Sequence, residues 1–119
     1  MPCVLLVEDE ALIAVEMADV LEGYGCTVEI SRSAEDALGR LRDGLIADIL
    51  FTDINLAGAM DGATLARIAR GLHPELIVVY TSGTVDAVAE PVPGSAFVPK
   101  PYSPKNVSAL LTRMAAVTA

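Results

Sequence analysis

The chain is poor in cysteine, in basic residues and in aromatic side chains, and the first two shortages each remove a class of protein. Its two cysteines, Cys3 and Cys26, have no metal-ligand spacing and sit in apolar segments. They read as free, buried thiols of a reducing compartment rather than as a disulfide framework. Eight Lys and Arg stand against 16 Asp and Glu, for a net charge of −8. A surface of that sign repels phosphate backbones and anionic lipid, which argues against direct binding to nucleic acid. No apolar run approaches the ~20 residues that a bilayer-spanning helix needs, and no basic segment precedes a long apolar one at the amino terminus. A cytoplasmic protein with no membrane contact is therefore expected. The lone His73 precedes Pro74 at a predicted helix end and carries no functional weight. Apolar residues are what the chain has in plenty: they make up 53% of 119 residues, enough to fill one core, so a single domain over residues 1–119 is expected.

Short β-branched runs alternate with longer segments of helical spacing, the pattern of a βαβα chain. Strands are predicted at Cys3 to Val7, Cys26 to Ile30, Asp48 to Thr52, Leu76 to Tyr80 and Ser95 to Val98. A first helix runs from Glu10 to Gly23, with Ile13, Met17, Val20 and Leu21 on its apolar face and Glu16, Asp19 and Glu22 on the wet side. Ser33 caps a second helix that runs to about Arg42 and is stopped by Gly44. Leu65, Ile68, Ala69 and Leu72 give the third helix its stripe, and Ser103-Pro104 opens the last, whose stripe is Val107, Leu110, Leu111 and Met114. Between these two, Thr84 to Glu90 leaves room for only a short fourth helix before Pro91 and Pro93 forbid continuation. Five strands buried on both faces and joined by helical crossovers imply a doubly wound parallel sheet with right-handed connections.

In such sheets ligands bind at the carboxyl ends of the strands, near the point where strand order reverses. The residues at those ends are Glu8, Asp9 and Glu10, then Asp53, then Thr81 and Ser82, then Lys100. Carboxylates from two strands with a hydroxyl and a lysine from two others are the set expected for a hard divalent cation beside a phosphoryl group, and oxygen donors suit Mg²⁺. Each residue also has a plainer use. The acids would favour the positive end of the first helix, Asp53 would serve as a turn residue, and Thr81 would cap a helix. Their arrival together at one edge favours the shared site.

Five segments carry a resemblance to the receiver domains of bacterial two-component response regulators: Val4 to Glu10, Phe51-Thr52-Asp53, Met60-Asp61-Gly62, Tyr80 to Gly83 and Phe97 to Pro101. The resemblance implies a flavodoxin-like fold of strand order 2-1-3-4-5. It makes Asp53 the phosphoacceptor, taking a phosphoryl group from a histidine kinase or a histidine phosphotransfer protein. It also implies Mg²⁺ held by Asp9, Asp53 and the backbone carbonyl of Asn55, with Glu8 acting through a bound water. Lys100 would pair with a phosphoryl oxygen, and Thr81 with Phe97 would form the switch that remodels a surface for a downstream protein target. Such a module catalyses only its own phosphorylation and dephosphorylation, and would be a monomer or a weak phosphorylation-dependent dimer.

The sequence departs from the family pattern at three places. Ala57 stands where a proline is common and one extra residue precedes Met60, Phe97 lacks the hydroxyl of the usual tyrosine, and the segment after Thr81 is short. A haloacid dehalogenase-like phosphatase would also use Asp53, but its second aspartate two residues on is Asn55 here. A flavin binder would need a phosphate loop after the first strand, which is missing. A degenerate receiver acting only as a binding module would not be expected to keep Asp9, Asp53, Thr81 and Lys100.

Overall fold

A computed structural model of the chain describes residues 2–83 and 90–118. In chain order the elements are β1 (Cys3–Val7), α1 (Ala11–Gly23), β2 (Thr27–Ser31), α2 (Ala34–Arg42), β3 (Ile49–Asp53), α3 (Gly62–Leu72), β4 (Ile77–Ser82), β5 (Ala96–Pro99) and α4 (Pro104–Thr118). The short helix expected between Thr84 and Glu90 falls on residues 84–89, outside the described residues. The strands form one parallel sheet of order β2-β1-β3-β4-β5, the expected doubly wound arrangement.

Strand pleating divides the core in two, because successive side chains point to opposite faces. Leu5, Val7, Leu50, Val78 and Tyr80 meet α2 and α3 through Ala37, Leu41, Leu65 and Ala69. Val4, Leu6, Ile49, Phe51 and Val79 meet α1 and α4 through Met17, Leu21, Val107 and Leu111. The central strands β1, β3 and β4 are buried on both sides, which explains their unbroken apolar runs. Cys26 and the half-buried Cys3 are free thiols and pack on opposite faces of the sheet. Among the described residues no helix is long and apolar enough to cross a membrane.

Four strands lie one residue or more later than their apolar runs suggest. Cys26 is not in β2, because its N–H closes the end of α1 on the Leu21 carbonyl at 3.1 Å. At the other ends the ladder continues past the hydrophobic residues, pairing Asp53 with Thr81 and Ser82 with Pro99. Hydrogen bonding defines the strand, while hydrophobicity marks only its apolar part, since Asp53, Thr81 and Ser82 are polar and yet buried. In α1 the buried residues are Ala14, Met17, Ala18 and Leu21, so the buried face is centred on the two small alanines and Ile13 and Val20 are only half-buried.

Helices α2 and α3 carry side-chain caps, the expected one at Ser33 and a second at Asp61 that the sequence reading did not assign. Ser33 Oγ accepts the Asp36 N–H at 3.0 Å, and Asp61 Oδ1 accepts the Thr64 N–H at 2.8 Å. The Thr64 N–H holds the Asp61 carboxyl below the usual carboxylate range. Asp61→Ala should cost about 1 kcal/mol in urea unfolding at neutral pH. Because the folded carboxyl is depressed, the cap acts fully above the ordinary aspartate range and is lost as pH falls through the depressed value. The gap between Asp61→Ala and the parent should therefore close in acid. An equal gap at every pH would show that the charge of Asp61 is irrelevant to the cap.

Candidate functional site

The carboxyl edge of the sheet gathers the strand-end residues into one cluster. Glu8 follows β1 and is 1% exposed, Asp53 ends β3 at 6%, and Thr81 lies level with Asp53 across the β3–β4 ladder at 1%. Lys100 reaches them from the end of β5, where its N–H donates to the Ser82 carbonyl at 2.9 Å. Its Nζ donates to Asp53 Oδ2 at 2.7 Å and to Glu8 Oε1 at 3.0 Å. Two buried carboxylates thus share one ammonium group.

Electrostatics follow from that geometry. Burial pushes the Glu8 carboxyl above its ordinary range, and the bonds from Lys100 and from the Glu10 N–H pull it back without cancelling the rise. Burial works against the charge of Lys100 too, but Asp53 and Glu8 outweigh it and hold the ammonium group above the usual lysine value. The remaining oxygens are also engaged. Glu8 Oε2 accepts the Glu10 N–H at 3.2 Å, and Asp53 Oδ1 accepts the Asn55 N–H at 3.0 Å. Among the described residues no hydrogen bond or ion pair reaches the Asp9 carboxylate.

Glu8, Asp9 and Asp53 each bring a carboxylate oxygen to within 4.8 Å of the others. Three hard oxygen donors this close repel one another, and they fit a small divalent cation such as Mg²⁺ better than a soft one. Thr81 supplies a second sign of an intended ligand. Its hydroxyl oxygen is buried and has no partner among the described residues, a costly arrangement unless something else bonds it in the working state.

Of the expected residues, Glu8, Asp9, Asp53 and Lys100 come together directly, and Thr81 joins them through the ladder. Asn55 follows Asp53, with its side-chain Nδ2 donating to Ser82 Oγ at 3.1 Å. Phe97 lies opposite Tyr80 on the edge strand and points outward, 42% exposed. Three neighbours were not evident from the sequence. Tyr102 packs edge-on against Phe51 with ring centroids 5.8 Å apart. Its hydroxyl is pushed up to about 12 by burial and then by the Glu8 carboxylate. Arg32 and Glu35 touch the loops around the site. Tyr102 lies two residues past Lys100 and Arg32 directly follows β2, so strand-end position could have found both, whereas Glu35 reaches the site only through its long-range bond to Ala59.

Gly62 fixes the loop behind Asp53. Its N–H donates to the Ile54 carbonyl at 2.9 Å, and a Cβ at this position would overlap the Asp53 carbonyl oxygen. The backbone of the site and the start of α3 approach so closely that only glycine fits. Gly62→Ala should destabilise the chain by about 2 kcal/mol in urea unfolding. A midpoint equal to the parent's would show that the loop relaxes freely.

A doubly wound sheet of order 2-1-3-4-5 with a carboxylate–lysine cluster at its carboxyl edge has the architecture of a signalling receiver. The response regulator receiver domain model matches residues 4–112, and the chain belongs to that family. Among similar proteins, sensor kinase CckA of Brucella abortus is 35% identical over 116 residues, covering 93% of this chain and 12% of that protein. The nitrogen assimilation regulatory protein NtrX of Azorhizobium caulinodans is 30% identical over 115 residues, covering 92% of this chain and 25% of that protein. The chain therefore spans a quarter or less of the length of these two relatives. The crystal structure of a response regulator receiver protein from Sinorhizobium medicae superposes with a TM-score of 0.90 at 27% identity, covering 99% of this chain and 97% of that one. The similarity is thus to receivers of two-component systems, and neither the phosphatase nor the flavin-binder reading is favoured.

Proposed function

We propose that residues 1–119 form one cytoplasmic receiver domain in which Asp53 accepts a phosphoryl group from the phosphohistidine of a sensor kinase or a histidine phosphotransfer protein. An Asp53 carboxylate oxygen attacks phosphorus, an O–P bond forms and the P–N bond breaks. The departing imidazole keeps the electron pair, and the product is an acyl phosphate. The observation that carries this reading is the contact of Lys100 with Asp53, beside the unpartnered hydroxyl of Thr81. Lys100 can exchange its carboxylate partner for a phosphoryl oxygen at little motion, and Thr81 can donate to another.

Mg²⁺ would be held by Asp9, Asp53 and the Asn55 carbonyl, with Glu8 acting through water, and would offset the charge of the incoming phosphoryl group. This suits Glu8, whose two oxygens already accept from Lys100 and Glu10. Thr81 and Phe97 would relay the change to a downstream protein target, with Phe97 standing exposed on the edge strand one position before the partner of Thr81 in the ladder. An open groove beside Lys100, lined by Ile13, Gly83 and Tyr102, adjoins the exposed Leu12 and Val15 of α1 and offers a surface to the kinase-side partner. The module would turn over no substrate besides its own phosphoryl group, and would be a monomer or a weak dimer once phosphorylated.

Incubation with a small phosphodonor, followed by intact-mass measurement, tests this reading. One added phosphoryl group is expected with Mg²⁺ and almost none with chelator, and equal labelling in both would remove the metal from the reaction. Asp9→Ala should weaken Mg²⁺ binding by about tenfold or more, since it removes a direct oxygen ligand, whereas Glu10→Ala should change it little. Equal losses in a calorimetric titration would withdraw Asp9 as a ligand.

A further inference from the structure

We propose that Arg32 and Glu35, at the corner between β2 and α2, are positioning residues that brace the two loops carrying the metal donors. The proposal rests on the Mg²⁺ reading above and assigns new residues to it. Arg32 Nη2 donates to the Asp9 carbonyl at 2.6 Å, gripping the backbone of the residue whose carboxylate has no protein partner among the described residues. Three positions on, Glu35 Oε2 accepts the Ala59 N–H at 3.1 Å, in the loop that leads from Asp53 and Asn55 to α3. One corner thus holds both the β1–α1 loop and the β3–α3 loop.

That second loop runs Asn55-Leu56-Ala57-Gly58-Ala59-Met60. Gly58 turns it at φ +108°, and a Cβ there would sit 3.0 Å from Glu35 Oε2, so the carboxylate lies directly against the turn. The corner itself is firm: Ser33 caps α2 and Ala34 is fully buried. Among the described residues Glu35 forms no ion pair, while Arg40 occupies the neighbouring Asp36 and Glu29. Both braces are exposed, where a hydrogen bond contributes little to folding. Mg²⁺ demands near-ideal octahedral geometry, so small displacements of its donors matter far more to affinity than to stability.

Mg²⁺ titration of the whole chain by calorimetry at physiological salt, with urea unfolding in chelator alongside, tests the proposal. Arg32→Ala and Glu35→Ala should each weaken Mg²⁺ binding by roughly five- to tenfold, with urea midpoints close to the parent's. Charge alone predicts otherwise for Arg32, since losing a cation near the site should tighten binding. Glu35→Gln loses the charge but keeps an acceptor for Ala59, and should restore most of the affinity lost in Glu35→Ala. The bracing is overturned if Arg32→Ala binds Mg²⁺ as well as the parent or better, if Glu35→Gln is no better than Glu35→Ala, or if the midpoints fall in step with affinity. A parent chain that binds no Mg²⁺, or an Asp9→Ala variant that binds like the parent, would instead overturn the metal reading and the bracing with it.

Discussion

Asp53→Asn should lose labelling by a small phosphodonor almost completely, by at least roughly a hundredfold, because an amide is a far poorer nucleophile than a carboxylate. The fold should survive, since the replacement keeps the shape of the side chain and its one amide oxygen can still accept from the Asn55 N–H or from Lys100, though not from both. Among the described residues Glu8 is the one other carboxylate on Lys100, so any residual labelling of Asp53→Asn would be sought there first. Intact mass over a time course reads the result. Labelling of Asp53→Asn at the parent rate would place the acceptor elsewhere and dissolve the roles assigned to Lys100 and Thr81.

Lys100→Met should be the most destabilising of the site substitutions, by about 3 kcal/mol in urea unfolding in chelator at neutral pH, since it strands two buried carboxylates without their counter-charge. Glu8 and Asp53 are nearly inaccessible and lie on the same ammonium group, so neither can turn to water. The direction with pH follows from Glu8. Burial already raises its folded carboxyl above the ordinary 4.5, and without Lys100 the rise should grow. For a carboxyl with a raised folded pKa, the stability gained by protonation is complete below the unfolded value and fades as pH climbs through the folded one. The deficit of Lys100→Met should therefore shrink toward pH 4 and be largest at neutral pH. Saturating Mg²⁺ should also recover part of it, because a second cation can answer the same carboxylates. A deficit that ignores both pH and Mg²⁺ would mean that lost packing of the lysine stem, rather than lost charge, is responsible.

Much of this was legible in the sequence, and for one reason. In a parallel doubly wound sheet the strand runs are apolar and the functional residues stand just past them, so Glu8, Asp53, Thr81 and Lys100 could be placed by where hydrophobicity stops. The same cue misplaced strand ends by a residue or so, because the ladder carries Asp53, Thr81 and Ser82 as paired strand residues beyond the apolar core. Alanine misled in α1. Ala14 and Ala18 are as deeply placed as the larger Met17 and Leu21, yet a stripe drawn from bulky residues passes them over in favour of Ile13 and Val20. The long-range pairing of Lys100 with Glu8, 92 positions apart, was within reach because both stand at strand ends, whereas that of Glu35 with Ala59, 24 apart, left no trace, since nothing local in either partner announces the other. The Ser33 cap, closed within three residues, was by contrast signalled by residue type alone, whereas the equally local Asp61 cap was passed over as loop.

Reductive trapping addresses the chemistry at Asp53 most directly. An acyl phosphate is reduced by borohydride to an alcohol with release of phosphate, so a phosphorylated Asp53 should become homoserine while an unmodified aspartate stays unchanged. After Mg²⁺-dependent labelling, peptide mass mapping should find homoserine at position 53 alone, and none when chelator replaces Mg²⁺. Homoserine at another aspartate, or a borohydride-resistant phosphate on a serine or threonine, would contradict the assignment of Asp53 as the phosphoacceptor.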